Sequence, residues 1–267
     1  MKAPSKFAIC IPSMGRAANQ KTLDSIPKHL KARTYVFVRK SDEDIYEFYK
    51  GWENLVVLGD ECVDLGSTRQ WILNWCWNNY IKVCVMSDDD LKFYRRQGDG
   101  KFVPTNNIKD LVDSLVECAK STTLVGIPGR FLANNLPRVS ALNKRPACFF
   151  AINVEDVMKS GVKYGTIKVQ IDIKFGLELL LKGYSNVQLT EWAHDQKFDA
   201  PGGCSNYRTA KVLTAASHQL KKEFPDFVTV VEKKASSFKN ASVDGVRTEV
   251  RVQWAKAAKY GANHASY

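Results

Sequence analysis

Three carboxylates in a row, Asp88, Asp89 and Asp90, follow directly on the apolar run of residues 83–86. Adjacent carboxylates repel one another unless a cation neutralises them. At the end of a buried parallel strand, where open α/β sheets bind their ligands, one or two such oxygens can hold a hard divalent ion that bridges to a diphosphate. The competing reading is a solvated acidic turn. Other residues of chemical interest are spread along the chain. Pro12, Ser13, Gly15 and Arg16 form a short loop behind the first apolar run, and Arg39 ends the second. Gly66-Ser67-Thr68-Arg69 opens the helical stretch ahead of the acidic triplet. Asp172 starts a later helical stretch, and His194 stands shortly before Pro201-Gly202-Gly203.

Several chemistries lack their usual residues. No Gly-x-x-x-x-Gly-Lys-Ser/Thr loop occurs, and no Gly-x-Gly-x-x-Gly follows the first apolar run, so kinase, GTPase and nicotinamide readings lose their phosphate cradle. No Gly-x-Ser-x-Gly elbow supports an α/β-hydrolase. The seven cysteines are scattered, without Cys-x-x-Cys spacing, and read as buried reduced thiols.

The elements that must position these residues follow from periodicity. Residues 7–11, 35–39, 55–58 and 82–86 are short β-rich runs, apolar on both faces, as in a buried parallel sheet. Amphipathic stretches at 19–30, 42–49 and 67–80 alternate with them, which predicts a doubly wound α/β sheet. Asp99-Gly100 marks a hairpin between 93–95 and 102–103. A helix is predicted over 108–116, strands over 123–127 and 147–153, and a helix over 172–182 closed by Gly183. A last strand follows at 186–189, then two basic helices at 208–223 and 246–260. With no repeat or linker, the chain reads as one domain, residues 1–267: a core over 7–205 and a basic helical C-terminal region over 206–267.

An apolar strand ending in Asp-x-Asp behind several βα units resembles the GT-A nucleotide-diphospho-sugar glycosyltransferases. The loop of residues 12–16, the Ser67-Thr68-Arg69 helix start, the Ile171-Asp172-Ile173 helix and His194 fall in that family's order. Pro-Ser-x-Gly-Arg, Ser-Thr-Arg and Asp-Asp-Asp together resemble, more narrowly, the phage TET/JBP-associated DNA-base glycosyltransferases. The resemblance implies a GT-A-like, mostly parallel sheet flanked by helices. It also implies a nucleotide diphosphate sugar, UDP-linked, as donor and Mn²⁺ or Mg²⁺ as metal. Asp90 and His194 would be metal ligands. Pro12, Ser13, Gly15, Arg16, Arg39, Arg69, Asp88 and Asp89 would bind the donor. Asp172 would be the catalytic acid/base on the acceptor side in an inverting enzyme, or would position the acceptor in a retaining one. The Glu that precedes this Asp in the family is absent here.

Each of these residues has a structural alternative. Arg16 and Arg69 read as helix-start residues, where a cation opposes the dipole, and either a bound anion or a salt bridge offsets that. Arg39 can end in solvent, Asp172 can cap its helix, and His194 can be a satisfied loop histidine. Trp71, Trp75 and Trp77 at helical spacing read as core rather than as a base-stacking platform. Gly202-Gly203 reads as a turn, or as backbone that approaches a sugar phosphate.

Composition and charge bound the partner. The chain of 267 residues is 45% hydrophobic and 25% charged, which excludes disordered, collagen-like and disulfide-miniprotein classes. No run of about 18 uncharged apolar residues predicts a membrane span, and the N-terminus carries no signal-peptide pattern, so cytoplasm is expected, of the host if the protein is phage-encoded. The net charge of +11 is uneven: residues 1–33 and 206–267 each carry +6. Basic ends fit a polyanion, in agreement with the acceptor that the resemblance to the TET/JBP-associated enzymes implies, DNA bearing 5-hydroxymethylcytosine or its uracil analogue. The rivals are a transferase acting on a saccharide, lipid-linked or protein acceptor, and a non-enzymatic basic nucleic-acid-binding module.

Overall fold

A computed structural model describes residues 7–18, 20–43, 54–196, 202–234 and 245–265. The first half supplies β1 (Phe7–Pro12), α1 (Lys21–Asp24), β2 (Thr34–Val38), β3 (Leu55–Val57), α2 (Leu65–Asn78) and β4 (Val83–Ser87). The strands lie parallel in the order β3-β2-β1-β4. β4 is buried along its whole length and β1 at all but its ends, as strands covered on both faces must be.

The second half adds β5 (Lys92–Arg96), β6 (Phe102–Thr105), α3 (Lys109–Cys118), β7 (Leu124–Gly126), α4 (Arg130–Ala133) and β8 (Ser140–Leu142). It continues with β9 (Phe149–Asn153), α5 (Val154–Ser160), α6 (Ile171–Leu181), β10 (Asn186–Leu189) and β11 (Trp192–Asp195). The sheet runs on from β4 as β9-β7-β10-β8, with β9 antiparallel to both its neighbours. The predicted hairpin forms: β5 and β6 pair antiparallel, Gly100 takes φ +88, and β11 completes a three-stranded sheet. Apolar side chains pack on both faces of the large sheet. One face carries Phe37, Ile72, Leu73, Cys84 and Phe175, and the other Ile9, Val85, Leu115 and Phe149. Trp71 and Trp75 edge against Phe37 as core, while Trp77 is exposed.

The C-terminal residues form α7 (Ala210–Glu223), the antiparallel pair β12 (Val228–Lys234) and β13 (Val246–Val252), and α8 (Trp254–His264). Leu220, Phe227, Val228 and Ala257 pack in the same core layer as Phe175 and Leu180 of α6.

Four sequence expectations change. The helix expected over 19–30 is α1 plus a 3-10 turn, Lys28–Arg33, because Pro27 has no N–H to donate and clashes with a preceding α turn. The stretch 42–49 lies mostly outside the described residues, and Lys40–Asp42 forms a 3-10 turn. Residues 186–189 are not the last strand, since β11, β12 and β13 follow. The helix expected from residue 246 starts only at Trp254: Val246, Thr248, Val250 and Val252 alternate with charged residues at period two, the pattern of a strand.

Of the cysteines, Cys10, Cys62, Cys76 and Cys84 are buried and the others half-buried, all as free thiols. Cys10, Cys76 and Cys84 bring their sulfurs within 4.8 Å of one another in the core. Burial pushes the Cys10 thiol well above its ordinary value, so it stays protonated. No helix among the described residues is long and apolar enough to cross a membrane.

Candidate active site

The acidic triplet leaves the end of β4 as a turn pinned from three directions. The Asp88 amide donates to Cys148 O at 2.8 Å. Thr22 of α1 donates through its hydroxyl to Asp88 O at 2.6 Å and through its amide to Asp89 O at 3.1 Å. The same hydroxyl accepts from the Leu91 amide at 3.1 Å, which closes the turn. The short α1 thus serves as a clamp on the carboxylates.

The loop behind β1 faces this turn. Arg16 Nη1 reaches Asp89 Oδ1 at 2.8 Å and Asp90 Oδ2 at 3.1 Å, and Ser13 Oγ donates to Asp89 Oδ2. Gly15 adopts φ +66, and its amide donates to Asp42. Arg16 Nη2 donates to Gly202 O at 3.2 Å. Gly202 sits at φ +86 where a Cβ would meet Arg16 Cγ and Met14 O at 3.0 Å, so the Gly202-Gly203 turn closes over Arg16 because it has no side chain there. Arg16 is therefore not a helix-start residue: it lies in a loop ahead of α1. Arg69 also departs from that reading. It sits past the first turn of α2, which is capped by an Asp64–Ser67 box, and its buried guanidinium reaches Asp88 Oδ1 at 2.8 Å. Burial alone would lower the Arg69 pKa, but Asp88 more than restores it. Arg39 ends β2 and donates to Val63 O at 2.8 Å.

Two cavities meet at the triplet. The first is lined by Pro12, Ser13, Arg16, Arg39 and all three carboxylates. The second is lined by Arg69, Arg145, Lys168, Asp172 and Arg247. Asp88 and Arg208 line both. Of the expected donor residues, all but Gly15 and Arg69 line the first cavity; Arg69 lines the second, and Gly15 lines neither. Arg145, Lys168, Arg208 and Arg247 were missed. The signal for Arg145 was a run without acids, residues 118–154, that contains Lys144-Arg145.

Asp172 belongs to the second cavity and does not cap its helix. Gln170 holds the N-cap position, with no side-chain capping bond, at φ +59. The Asp172 carboxylate instead accepts from Arg145 Nε. Burial would raise this carboxyl, but Arg145, with Arg69 behind it, outweighs burial and holds it below its ordinary value. Cys148, at φ +63, lines the same cavity. Two non-glycine residues held left-handed on one cavity wall are strain of the kind that gathers at functional sites.

The donor set for a metal can be judged from unpaired atoms. Asp90 Oδ1 and His194 Nδ1 are both buried without a hydrogen-bond partner among the described residues. Buried polar atoms left in this way call for a missing partner. The Asp90 oxygen is of the hard kind that suits Mn²⁺ or Mg²⁺, and burial pushes His194 down to about 4, so its imidazole is neutral at pH 7. Burial also raises Asp89 and Asp90, against the pull of Arg16. His194 lies on β11, bridged to Gly129, and lines neither cavity, although it feels the charges of Asp88 and Arg145.

Residues 7–199 match the sequence profile of a family described as TET-Associated Glycosyltransferase. No curated protein matches the chain. Among solved structures, S. aureus TarS superposes with a TM-score of 0.50 at 10% identity, over 81% of this chain and 40% of TarS. A 1–349 form of TarS gives 0.48 at 13% identity, over 81% and 65%. GalNAc-T7, solved with UDP, GalNAc and Mn2+, gives 0.46 at 10% identity, over 74% and 45%. The chain thus spans less than two thirds of each of these proteins. At such identities the likeness to TarS concerns the fold, and it agrees with the GT-A-like sheet that the motifs implied.

Proposed function

Because the chain belongs to the TET-associated glycosyltransferase family, and is therefore a glycosyltransferase and not a mere binding module, we propose that it glycosylates DNA: it moves a sugar from a nucleotide diphosphate sugar, UDP-linked, to the hydroxyl of a hydroxymethylated pyrimidine. The observation that carries this reading is the pair of cavities that share Asp88. One holds carboxylates and arginines suited to a diphosphate and its counter-ion, the other five cations against the three carboxylates Asp88, Asp172 and Glu249, a net positive lining suited to a polyanionic acceptor.

In this reading Asp88 binds sugar or ribose hydroxyls, while Arg16, Arg39 and Arg208 balance the diphosphate. A Mn²⁺ or Mg²⁺ held by Asp90, with Asp88 and His194 in support, would supply positive charge to the leaving diphosphate. Asp172 accepts the proton of the acceptor hydroxyl as its oxygen bonds to the anomeric carbon, and the diphosphate departs with the electron pair of the broken C–O bond. Its pairing with Arg145 keeps it ionised throughout the neutral range. Arg145, Lys168 and Arg247 meet the phosphates of the acceptor.

The test is mass spectrometry of DNA containing 5-hydroxymethylcytosine or 5-hydroxymethyluracil, incubated with the protein, Mn²⁺ and a panel of nucleotide sugars. A mass gain of one sugar residue on the modified base is expected. Transfer to a saccharide or peptide pool, with none to either DNA, would overturn the acceptor.

A further inference from the structure

Residues 128–147 make an excursion that starts at His194 and ends at the second cavity. The segment begins beside His194, where Pro128 O accepts from the His194 amide at 3.1 Å and Gly129 bridges to His194. It ends at Arg145, which is paired with Asp172. Between these anchors the chain carries four cations, Arg130, Arg138, Lys144 and Arg145, and no acid. It also carries four exposed large apolar side chains: Phe131 at 92%, Leu132 at 59%, Val139 at 69% and Leu142 at 69%. Single exposed apolar residues are ordinary on a protein surface; four within twelve positions, set among Arg130, Arg138 and Lys144 with no acid in the segment, are not scattered.

Topology fixes where this excursion starts. Met86 of β4 and Gly126 of β7 both pair with Phe150 of β9, one from each side. They therefore lie level, about 10 Å apart, two strand spacings. The acidic turn continues from Met86 and the excursion from Gly126, both at the same edge of the sheet, so the base of the excursion lies beside the acidic turn. The tip is held firm from beneath. Ala133 is buried, and Arg130 stacks over Phe102 at 4.9 Å and Tyr94 at 5.8 Å. Phe131 and Leu132 therefore project from a supported base.

A base inside a duplex is stacked and paired, and an enzyme that works on one gains from an apolar side chain that occupies the opened step. A segment with cations and no acid around such a side chain fits the phosphates on either side. We propose that Phe131 and Leu132 form a wedge that enters the base stack of duplex DNA next to the nucleotide being glycosylated. This rests on the DNA-acceptor reading above.

The experiment uses the full chain and a duplex with 2-aminopurine beside one 5-hydroxymethylpyrimidine, together with the same modified strand alone. The double variant Phe131→Ser, Leu132→Ser removes only exposed apolar surface. Wild-type protein is expected to raise the 2-aminopurine fluorescence on binding duplex, and the variant to leave it flat. Sugar transfer to the duplex should fall about tenfold or more in the variant, while transfer to the single strand, which has no stack to open, stays within about twofold. A Phe131→Met, Leu132→Met protein, which keeps an apolar wedge, should recover the duplex rate. Equal unstacking and equal duplex transfer by wild type and serine variant would overturn the wedge and leave DNA as acceptor. An equal loss on duplex and single strand would overturn it too, since the tip would then be a simple contact. If wild type modifies neither DNA form, the acceptor reading itself falls.

Discussion

Asp90 is a charge held where the folded protein does not favour it. Burial raises its carboxyl above the ordinary range, so the ionised form costs stability in the folded state. For such a group the favourable contribution is present when it is protonated, and it is lost as pH rises through the raised value. Asp90→Asn should therefore raise Tm at neutral pH, and the difference should shrink on acidification. The same variant should lose Mn²⁺-dependent UDP binding in calorimetric titration. A variant that is more stable and still binds UDP with Mn²⁺ as the wild type does would remove Asp90 from the metal site. Asp172 behaves in the opposite sense. Arg145 and Arg69 hold it below its ordinary value, while nearby Tyr164 and Cys148 are pushed up and stay neutral. As a base it should remain competent until pH falls through that depressed value. Asp172→Asn should cut single-turnover transfer by roughly 10²–10⁴-fold with donor affinity kept. Arg145→Gln removes the cation, raises the Asp172 carboxyl, and should move the acid limb of the kcat profile to higher pH. An unmoved limb would mean that Asp172 does not take the proton.

At the scale of elements, the closest approach is between α6 and α8. A Cβ on Gly261 would lie 1.8 Å from Leu180 O and 2.8 Å from the Gly183 amide, both backbone atoms that cannot swing aside. Gly261→Ala should cost about 1–3 kcal/mol through overpacking, read as a lower Tm, despite the better helix propensity of alanine. That glycine was invisible as a packing residue in the sequence, because nothing local announces which helix will face it. The buried strands were legible, since runs such as Ala8–Ile11 and Val83–Met86 have no polar face to offer solvent. The acidic turn was legible for the same reason: it interrupts one of them. Arg145 was not, because its partner Asp172 lies beyond a strand and a helix in sequence, and only the fold brings them together. The strand β13 was legible in its period-two alternation but was masked by the run of charges, which also suits a helix surface.

Across the whole molecule, positive charge is present both at the chain ends and in the acid-free excursion, and salt dependence can tell which meets DNA. Several C-terminal cations are already engaged: Lys221 with Pro225 O, Lys256 with Asp226 O, and Lys233 with Glu249. Replacing Lys144 by alanine should flatten the log–log salt slope of duplex binding by about 0.9 for its lost phosphate contact, and replacing Lys221 or Lys233 should change it less. The reverse ranking would place the DNA on the C-terminal face. The sheet also dictates how the molecule is made. β9 lies between β4 and β7, yet both are synthesised before it, and Met86 must wait for Phe150. A nascent chain that stops short of residue 149 therefore holds only the parallel half-sheet β3-β2-β1-β4, with β4 an open edge of unpaired amides and carbonyls, the surface on which strands of other chains add, while β7 lacks both of its partners, β9 and β10, and β8 lacks β10. Such truncations should aggregate, while in the full chain β9 covers β4 and joins it to β7, and β10 then joins β7 to β8, in late steps of slow, non-local folding.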